Sequence, residues 1–252
     1  SVIHYHLPKT TDSLTVTMTF TDQKGDTLRV FSSEKDAGYQ RWAGGPPAAP
    51  TLPAAAGLNR FVWDNRTEIM SGAEGVYIEG SYRGHKVSPG TYIATLTFDG
   101  KSVSTEVEVA DNPDYDISAA QFEEYHLFMQ DGEAKLTAMH TYVNQLASVR
   151  NQLKHLKEKI ETGPIDATIS KLIADLKSWD DEMVQRKTKA YDDVENFRNK
   201  FTAEYLFMLN QTESSIPRVN QSSKDRKAEL DKRWKVYKEQ ADELLTADIK
   251  KL

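Results

Sequence analysis

Residues Gly57–Asp64 read GLNRFVWD and follow a loop that is rich in proline, alanine and glycine. Side chains alternate between the two faces of a strand, so Phe61 and Trp63 share one face. We predict that this stretch is a core strand and that Leu58, Phe61 and Trp63 are its packing side chains. The four prolines of the preceding loop, residues 44–57, remove backbone donors. This loop is therefore expected on the surface.

Short alternating runs extend from Ser1 to about Ala110, on both sides of this strand. In LTVTMTF, residues 14–20, apolar residues alternate with threonines, which is the period of a half-buried strand. The Asp99-Gly100 pair separates two such runs and is a strong hairpin signal, because both residues must adopt positive φ. Roughly seven strands are predicted, namely IHYHLP, LTVTMTF, LRVF, RFVW, VYIEGSY (Val76–Tyr82), GTYIATLTF and KSVSTEVEVA. Residues 1–110 are thus predicted to form an antiparallel β-sandwich of the immunoglobulin or fibronectin type.

The hydrophobic period changes to three and four residues after a polar linker at residues 111–117. Ser118 is the predicted N-cap of a first long helix that runs to about Thr162. A second helix is predicted to start near Ile165, with a break or kink around residues 190–197. A third helix follows the turn that contains the last proline.

Each predicted helix has one apolar stripe that must be buried, and short turns join the helices. We therefore predict an antiparallel three-helix bundle over residues 118–252, although a coiled-coil dimer would bury the same stripes. The chain is then an α+β protein with two domains, a sandwich at residues 1–110 and the bundle. His126, His140 and His155 are expected on the surface of the first helix or beside its stripe.

Composition sets limits on the function. The chain has 252 residues, a formal net charge of -6 and no cysteine, which excludes disulfides and thiolate sites. The mild acidity argues against nucleic acid as a partner. No apolar run approaches the ~18 residues of a membrane span. The opening SVIHYHLP has no methionine and already alternates like a strand, so we interpret the chain as a fragment or a processed product.

No motif for catalysis, for a cofactor or for a metal stands out, and we predict none of these sites. His4 and His6 share one face of a strand, but two ligands are too few for a metal site. The acidic run at residues 111–116 lacks the central glycine of a calcium loop. The stretch SEKDAGYQRW, residues 33–42, departs from the Asp-box spacing S-x-D-x-G-x-x-W by one residue at both outer positions. Adjacent carboxylates such as Asp192 and Asp193 have no predicted cleft around them.

Aromatic residues leave one candidate for ligand binding. A sugar ring stacks on an exposed aromatic face, whereas most strand aromatics are expected in the core. Trp42 lies beside the proline-rich loop with Tyr39 close in sequence, and we name these two as candidate ligand-binding residues.

The amino-acid sequences of several stretches resemble those of a known family. GLNRFVWD (residues 57–64) and SPGTY (residues 88–92) resemble the C-terminal region of bacterial sortilin-type β-propeller proteins, often labelled glycosyl hydrolases with BNR or Asp-box repeats. IHYHLP resembles the opening strand of the immunoglobulin-like module that follows the propeller there, a module similar to that of the flagellar hook-capping protein. EMVQRKTKA (residues 182–190) and residues 227–245 resemble helical segments of the same region.

The resemblance implies an accessory role for this chain. The propeller, where any glycosidase activity of the family would reside, is not within these residues. We therefore expect a non-catalytic interaction region of an exported bacterial protein, which braces or presents an upstream propeller or docks a protein partner. A carbohydrate-binding module of a secreted glycan-processing protein is the alternative, and a fragment of a glycoside hydrolase is a weaker one.

Overall fold

The computed structural model describes residues 1–8, 14–160, 163–213 and 216–248. Within these residues the chain is an α+β protein with two antiparallel sheets followed by four α-helices. The strands are β1 (Val2–Leu7), β2 (Thr17–Thr21), β3 (Thr27–Ser32), β4 (Gly57–Val62), β5 (Gly90–Phe98) and β6 (Lys101–Val109). The helices are α1 (Ala119–Lys157), α2 (Pro164–Met183), α3 (Phe201–Glu213) and α4 (Gln221–Glu243).

The two sheets share one hydrophobic core. Strand β1 pairs with β4, and the other sheet has the order β3-β2-β5-β6. Side chains from all six strands meet in a single buried cluster, with Phe20 and Trp63 at its centre. The predicted alternation in β2 is confirmed, because Val16, Met18 and Phe20 are fully buried. The predicted hairpin is confirmed as well, since Asp99 and Gly100 take φ angles of 52° and 69° between β5 and β6.

One side chain of the opening stretch was assigned to the wrong face. Phe61 and Trp63 are buried as predicted, but Leu58 is 74% exposed. Leu58 is an odd number of residues from both aromatics, so a regular strand must turn it to the opposite side of the sheet. The third buried position is Asn59, whose amide bonds to backbone groups of Ala55 and Gly57 and closes the start of the strand.

The predicted strand at Val76–Tyr82 does not form. Its backbone bonds to the helical half instead, with the Tyr77 N–H donating to Thr188 O and the Ser81 N–H donating to Asn210 Oδ1. Gly80 takes a φ of +156°, and a Cβ there would lie 2.9 Å from atoms of Asn210 and Leu206. The apolar residues of this stretch are therefore buried against the helices and not against the sheets.

The helices follow the predicted stripes, with corrected ends. Ser118 is the N-cap of α1, and its side chain and that of Gln121 form a reciprocal capping box. The helix ends at Lys157, while the predicted end near Thr162 lies outside the described residues. At 1.5 Å per residue its 39 residues span about 58 Å.

The prediction of three helices is wrong, because four are present in the described part of the chain. The predicted second helix divides into α2 and α3, because α2 ends before the extended Val184, and the predicted break at residues 190–197 lies in the stretch between the two helices. Arg186 then forms a bidentate ion pair with the buried Asp180, and the Thr202 hydroxyl donates to Met183 O at the end of α2. Most of EMVQRKTKA is consequently not helical. None of the described helices is long and apolar enough to cross a membrane.

Candidate functional site

The two candidate ligand-binding residues, Tyr39 and Trp42, lie in an open groove of about 1240 Å³. The groove is lined by the proline-rich loop, by residues 68–75 and by Asn144 of α1. Four acidic and two basic side chains also line it, namely Glu34, Asp36, Glu68, Glu74, Lys35 and Arg41. The structure thus brings the predicted pair together at a concave surface.

Both aromatic side chains are engaged within the fold. The indole N–H of Trp42 donates to Val76 O over 2.9 Å, and a Cβ at Gly45 would collide with the indole ring. The Tyr39 hydroxyl donates to Pro46 O over 3.0 Å. Trp42 therefore fastens the loop to residues 72–76, and its side chain is partly buried there. Glycan binding by these two residues stays a prediction.

A second candidate site lies where residues 67–85 meet α1; we call these residues the bridging segment. It leaves the sheets after β4 and returns to them before β5. On the sheet side, Arg29 of β3 donates from Nη1 to Thr67 O over 2.6 Å within the protein interior. On the helical side, five of its side chains join the helical core: Met70, Ala73, Val76, Ile78 and Tyr82. The bridging segment is thus shared between the two halves of the molecule.

The helix presents a polar stripe to the bridging segment. Glu133, Thr137, His140 and Asn144 lie on one face of α1, because they are spaced by three or four residues. Asn144 accepts from Glu74 N over 2.9 Å and donates to Gly72 O over 3.0 Å. These two hydrogen bonds join a side chain of α1 to the backbone of the bridging segment, so a shift of the segment along the helix would break them.

Glu133 is the centre of this interface. Its carboxylate is nearly buried, and it accepts from the backbone N–H of His85 over 2.7 Å and from the Thr67 hydroxyl over 3.3 Å. The Nδ1 atom of the buried His85 lies 3.0 Å from Oε2, the carboxylate oxygen that the Thr67 hydroxyl also contacts. A carboxylate only accepts, so Nδ1 of His85 carries a proton. The bridging segment thereby supplies three donors to one buried carboxylate.

His126 extends the chain of hydrogen bonds toward the surface. Its Nδ1 atom lies 2.9 Å from Nε2 of His85, so one nitrogen donates and the other accepts. Burial lowers the pKa of His126, and the neighbouring His85 lowers it further, while Glu123, Glu133 and Asp22 act in the opposite direction.

His140 is the most buried titratable group at the interface. Its Nδ1 atom lies 2.7 Å from Ser71 O, and complete burial lowers its pKa to about 4 despite this bond. Within the described residues, neither its Nε2 atom nor the hydroxyl of the adjacent Tyr82 has a hydrogen-bond partner. His140 is therefore neutral near pH 7. Burial also raises the pKa of Tyr82 above its ordinary value.

Further polar contacts attach the bridging segment to the helical half at several points along its length. Just before it, Arg66 pairs with Glu213 of α3 over 3.0 Å. Near its middle, Lys189 donates to Gly75 O over 2.9 Å, and Asn210 of α3 both accepts from and donates to the backbone of Ser81. The segment is therefore attached to α1, to α3 and to the chain between α2 and α3.

The arrangement supports attachment of the bridging segment to α1. No set of three or more His, Asp or Glu side chains that could hold a metal ion occurs among the described residues. Neither His85 nor Glu133 was predicted from the sequence, and His126 and His140 were expected on the helix surface or beside its stripe. The available signal was the seven-residue spacing of His126, Glu133 and His140, which puts three polar residues on one side of an amphipathic helix.

Comparison with family models, with curated proteins and with solved structures finds no match to this chain. The resemblance to the sortilin-type family thus rests on the quoted motifs and stays a prediction.

Proposed function

We propose that this chain is a non-catalytic accessory region that acts as a rigid brace. The observation that carries this proposal is the bridging segment, which belongs in sequence to the sheets and in packing to the helices. Two domains joined only by a short polar linker would be expected to move relative to each other. The segment restricts that freedom, because its apolar side chains pack in the helical core while Arg29 of β3 binds Thr67 O and pairs with Glu68 on the sheet side.

The apolar contacts of the segment supply most of the attachment. Val76 is fully buried, and Met70, Ile78 and Tyr82 are each less than 5% exposed against the helices. Burying a side chain of this size contributes about 1.5–3 kcal/mol. The polar contacts of Glu133 and Asn144 then fix the register, because an unpaired buried group costs about 1–3 kcal/mol.

A brace implies a neighbouring domain that it supports, and the sequence motifs suggest which domain this is. The family resemblance supports an immunoglobulin-like sandwich for residues 1–110, joined by the linker at residues 111–117 to a helical bundle. It also supports an upstream β-propeller as the neighbour, in an exported bacterial protein. In this proposal the sheets contact the propeller, and α1 extends the brace by about 58 Å. A parent reading frame without a propeller would refute this choice of neighbour.

Rigidity can be measured directly, because the chain has no cysteine and accepts unique spin-label pairs. We expect labels at Ser104→Cys on β6 and Glu239→Cys on α4 to give a single narrow distance distribution. A control pair within the helices, Asn151→Cys and Lys235→Cys, sets the width of a rigid reference. A sheet-to-helix distribution much broader than this reference would show that the two halves move independently, and the brace proposal would fail.

A further inference from the structure

One edge of the larger sheet is a long, regular strand, β6, whose only interruptions of an apolar or neutral surface are the charged Lys101, Glu106 and Glu108. Strand β6 has nine residues, pairs only with β5 in the described sheets, and keeps an unshifted register along its whole length. Natural edge strands are commonly shortened, bulged or interrupted by proline, because their free N–H and C=O groups invite pairing with another strand. β6 has none of these features, and its first six residues are all exposed.

The opposite edge of the same sheet is treated differently. Along β3, the Leu52 N–H donates to Ser32 O over 2.9 Å, and the buried Arg29 is fastened to Thr67. Among the residues that the structure describes, the chain thus covers part of one edge and leaves the other open. Val103 on β6 is 66% exposed, although it lies on the same side of the strand as the buried Val107.

We propose that β6 is a self-association surface, where two copies of this chain pair antiparallel and form one continuous eight-stranded sheet. A two-fold axis through Thr105 places each Val103 opposite Val107 of the second copy, on the core-facing side. On the outer side, Ser104 meets Glu106 of the second copy and Ser102 meets Glu108. No two like charges are then opposite each other, which antiparallel pairs require for stability.

The charge pattern of β6 favours antiparallel over parallel pairing of two copies. Parallel pairing in register would stack Glu106 on Glu106 and Glu108 on Glu108. In the antiparallel arrangement each glutamate meets a serine hydroxyl that can donate to it. Ser104 and Ser102 already bond to Thr95 and Thr97 of β5 over 2.9 Å. Each threonine can donate to its serine while the serine donates to the facing carboxylate, so no contact is lost on pairing.

One strand edge buries less than the roughly 1,200 Å² of a stable interface, so the dimer should be weak. We expect sedimentation velocity to show monomers at micromolar concentration and a reversible dimer toward millimolar concentration. Ser104→Glu should raise the dissociation constant about tenfold, because each dimer would then contain two pairs in which the introduced glutamate of one copy faces Glu106 of the other. Ser104→Lys is the matched control at the same exposed position and should lower it.

The register is tested by introduced cysteines. Directly opposite residues in antiparallel strands have Cα atoms about 4.5–5.5 Å apart, within the range of a disulfide. Thr105→Cys should therefore cross-link the two copies on oxidation. Ser102→Cys should not, because the two copies of residue 102 would lie about 20 Å apart along the strands. A protein that stays monomeric at millimolar concentration, or equal cross-linking at both positions, would overturn the proposal.

Discussion

Replacing Trp63 with alanine should cost about 3–5 kcal/mol of the free energy of unfolding. The indole is fully buried at the centre of the sheet core, stacked on Phe20 with ring centroids 4.2 Å apart. The ring of Tyr92 contacts the indole edge-on, with centroids 5.8 Å apart. The indole N–H of Trp63 donates to Arg66 O over 3.0 Å. Truncation would leave a large cavity and an unpaired carbonyl in a site that strands from both sheets surround.

The experiment is equilibrium unfolding in denaturant, with Leu58→Ala as the control. Leu58 lies on the same strand but is 74% exposed, so its truncation should change the stability by less than about 0.5 kcal/mol. A loss below about 1 kcal/mol for Trp63→Ala would contradict the assignment of Trp63 to the core.

The second large effect is a loss of stability in acid that His140 causes. Its pKa is about 4 in the folded protein against 6.5 for an ordinary histidine. Between these values the unfolded chain binds a proton that the folded chain does not. The stabilisation is therefore present above pH 6.5 and is lost as the pH falls toward 4. At about 1.4 kcal/mol per unit of pKa, the loss is on the order of 3 kcal/mol.

The change with pH is isolated by comparing variants. His140→Asn keeps a donor toward Ser71 O but does not titrate, so its stability should fall less steeply between pH 6.5 and 4 than that of the unmodified protein. His155→Gln is the control, since His155 lies on the same helix and is exposed. If His140→Asn and the unmodified protein lose stability equally over this range, His140 is not the group responsible.

His126 should add to the same acid response. Its pKa is also lowered, chiefly by burial, so its sign agrees with that of His140. Both histidines contact the bridging segment, His126 at His85 and His140 at Ser71. Acid should therefore weaken the attachment of the bridging segment to α1 before it weakens the sheet core, where no histidine is among the buried residues described.

Local patterns in the sequence correctly predicted the elements that depend on short-range interactions. Alternation placed Met18 and Phe20 correctly, Asp99-Gly100 formed the hairpin, and Ser118 capped the long helix, because each depends on neighbours within a few residues. Leu58 was misplaced because the expectation of an apolar face overrode the period of two. The break in the second predicted helix was expected at residues 190–197, but α2 already ends at Met183, where the pairing of Arg186 with Asp180 is a contact that no periodicity reveals.

The bridging segment could not be predicted from local patterns for a different reason. Val76, Ile78 and Tyr82 alternate with polar residues, as strand residues do, but the surface that buries them comes from helices far along the chain. His85 and Glu133 are separated by 48 residues, so neither side chain signals the other. Buried polar pairs of this kind depend on the tertiary fold, and the helical spacing of His126, Glu133 and His140 gave only half of the interface.

The most direct test of the central claim is native-state hydrogen exchange of the His85 amide, which donates to Glu133 across the interface. If the bridging segment locks the two halves into one rigid unit, this amide should exchange only on global unfolding. Its exchange free energy and denaturant dependence should then match those of Leu136 in α1 and Ala94 in β5. Exchange of His85 through a local opening, with a much smaller free energy and no denaturant dependence, would contradict the account.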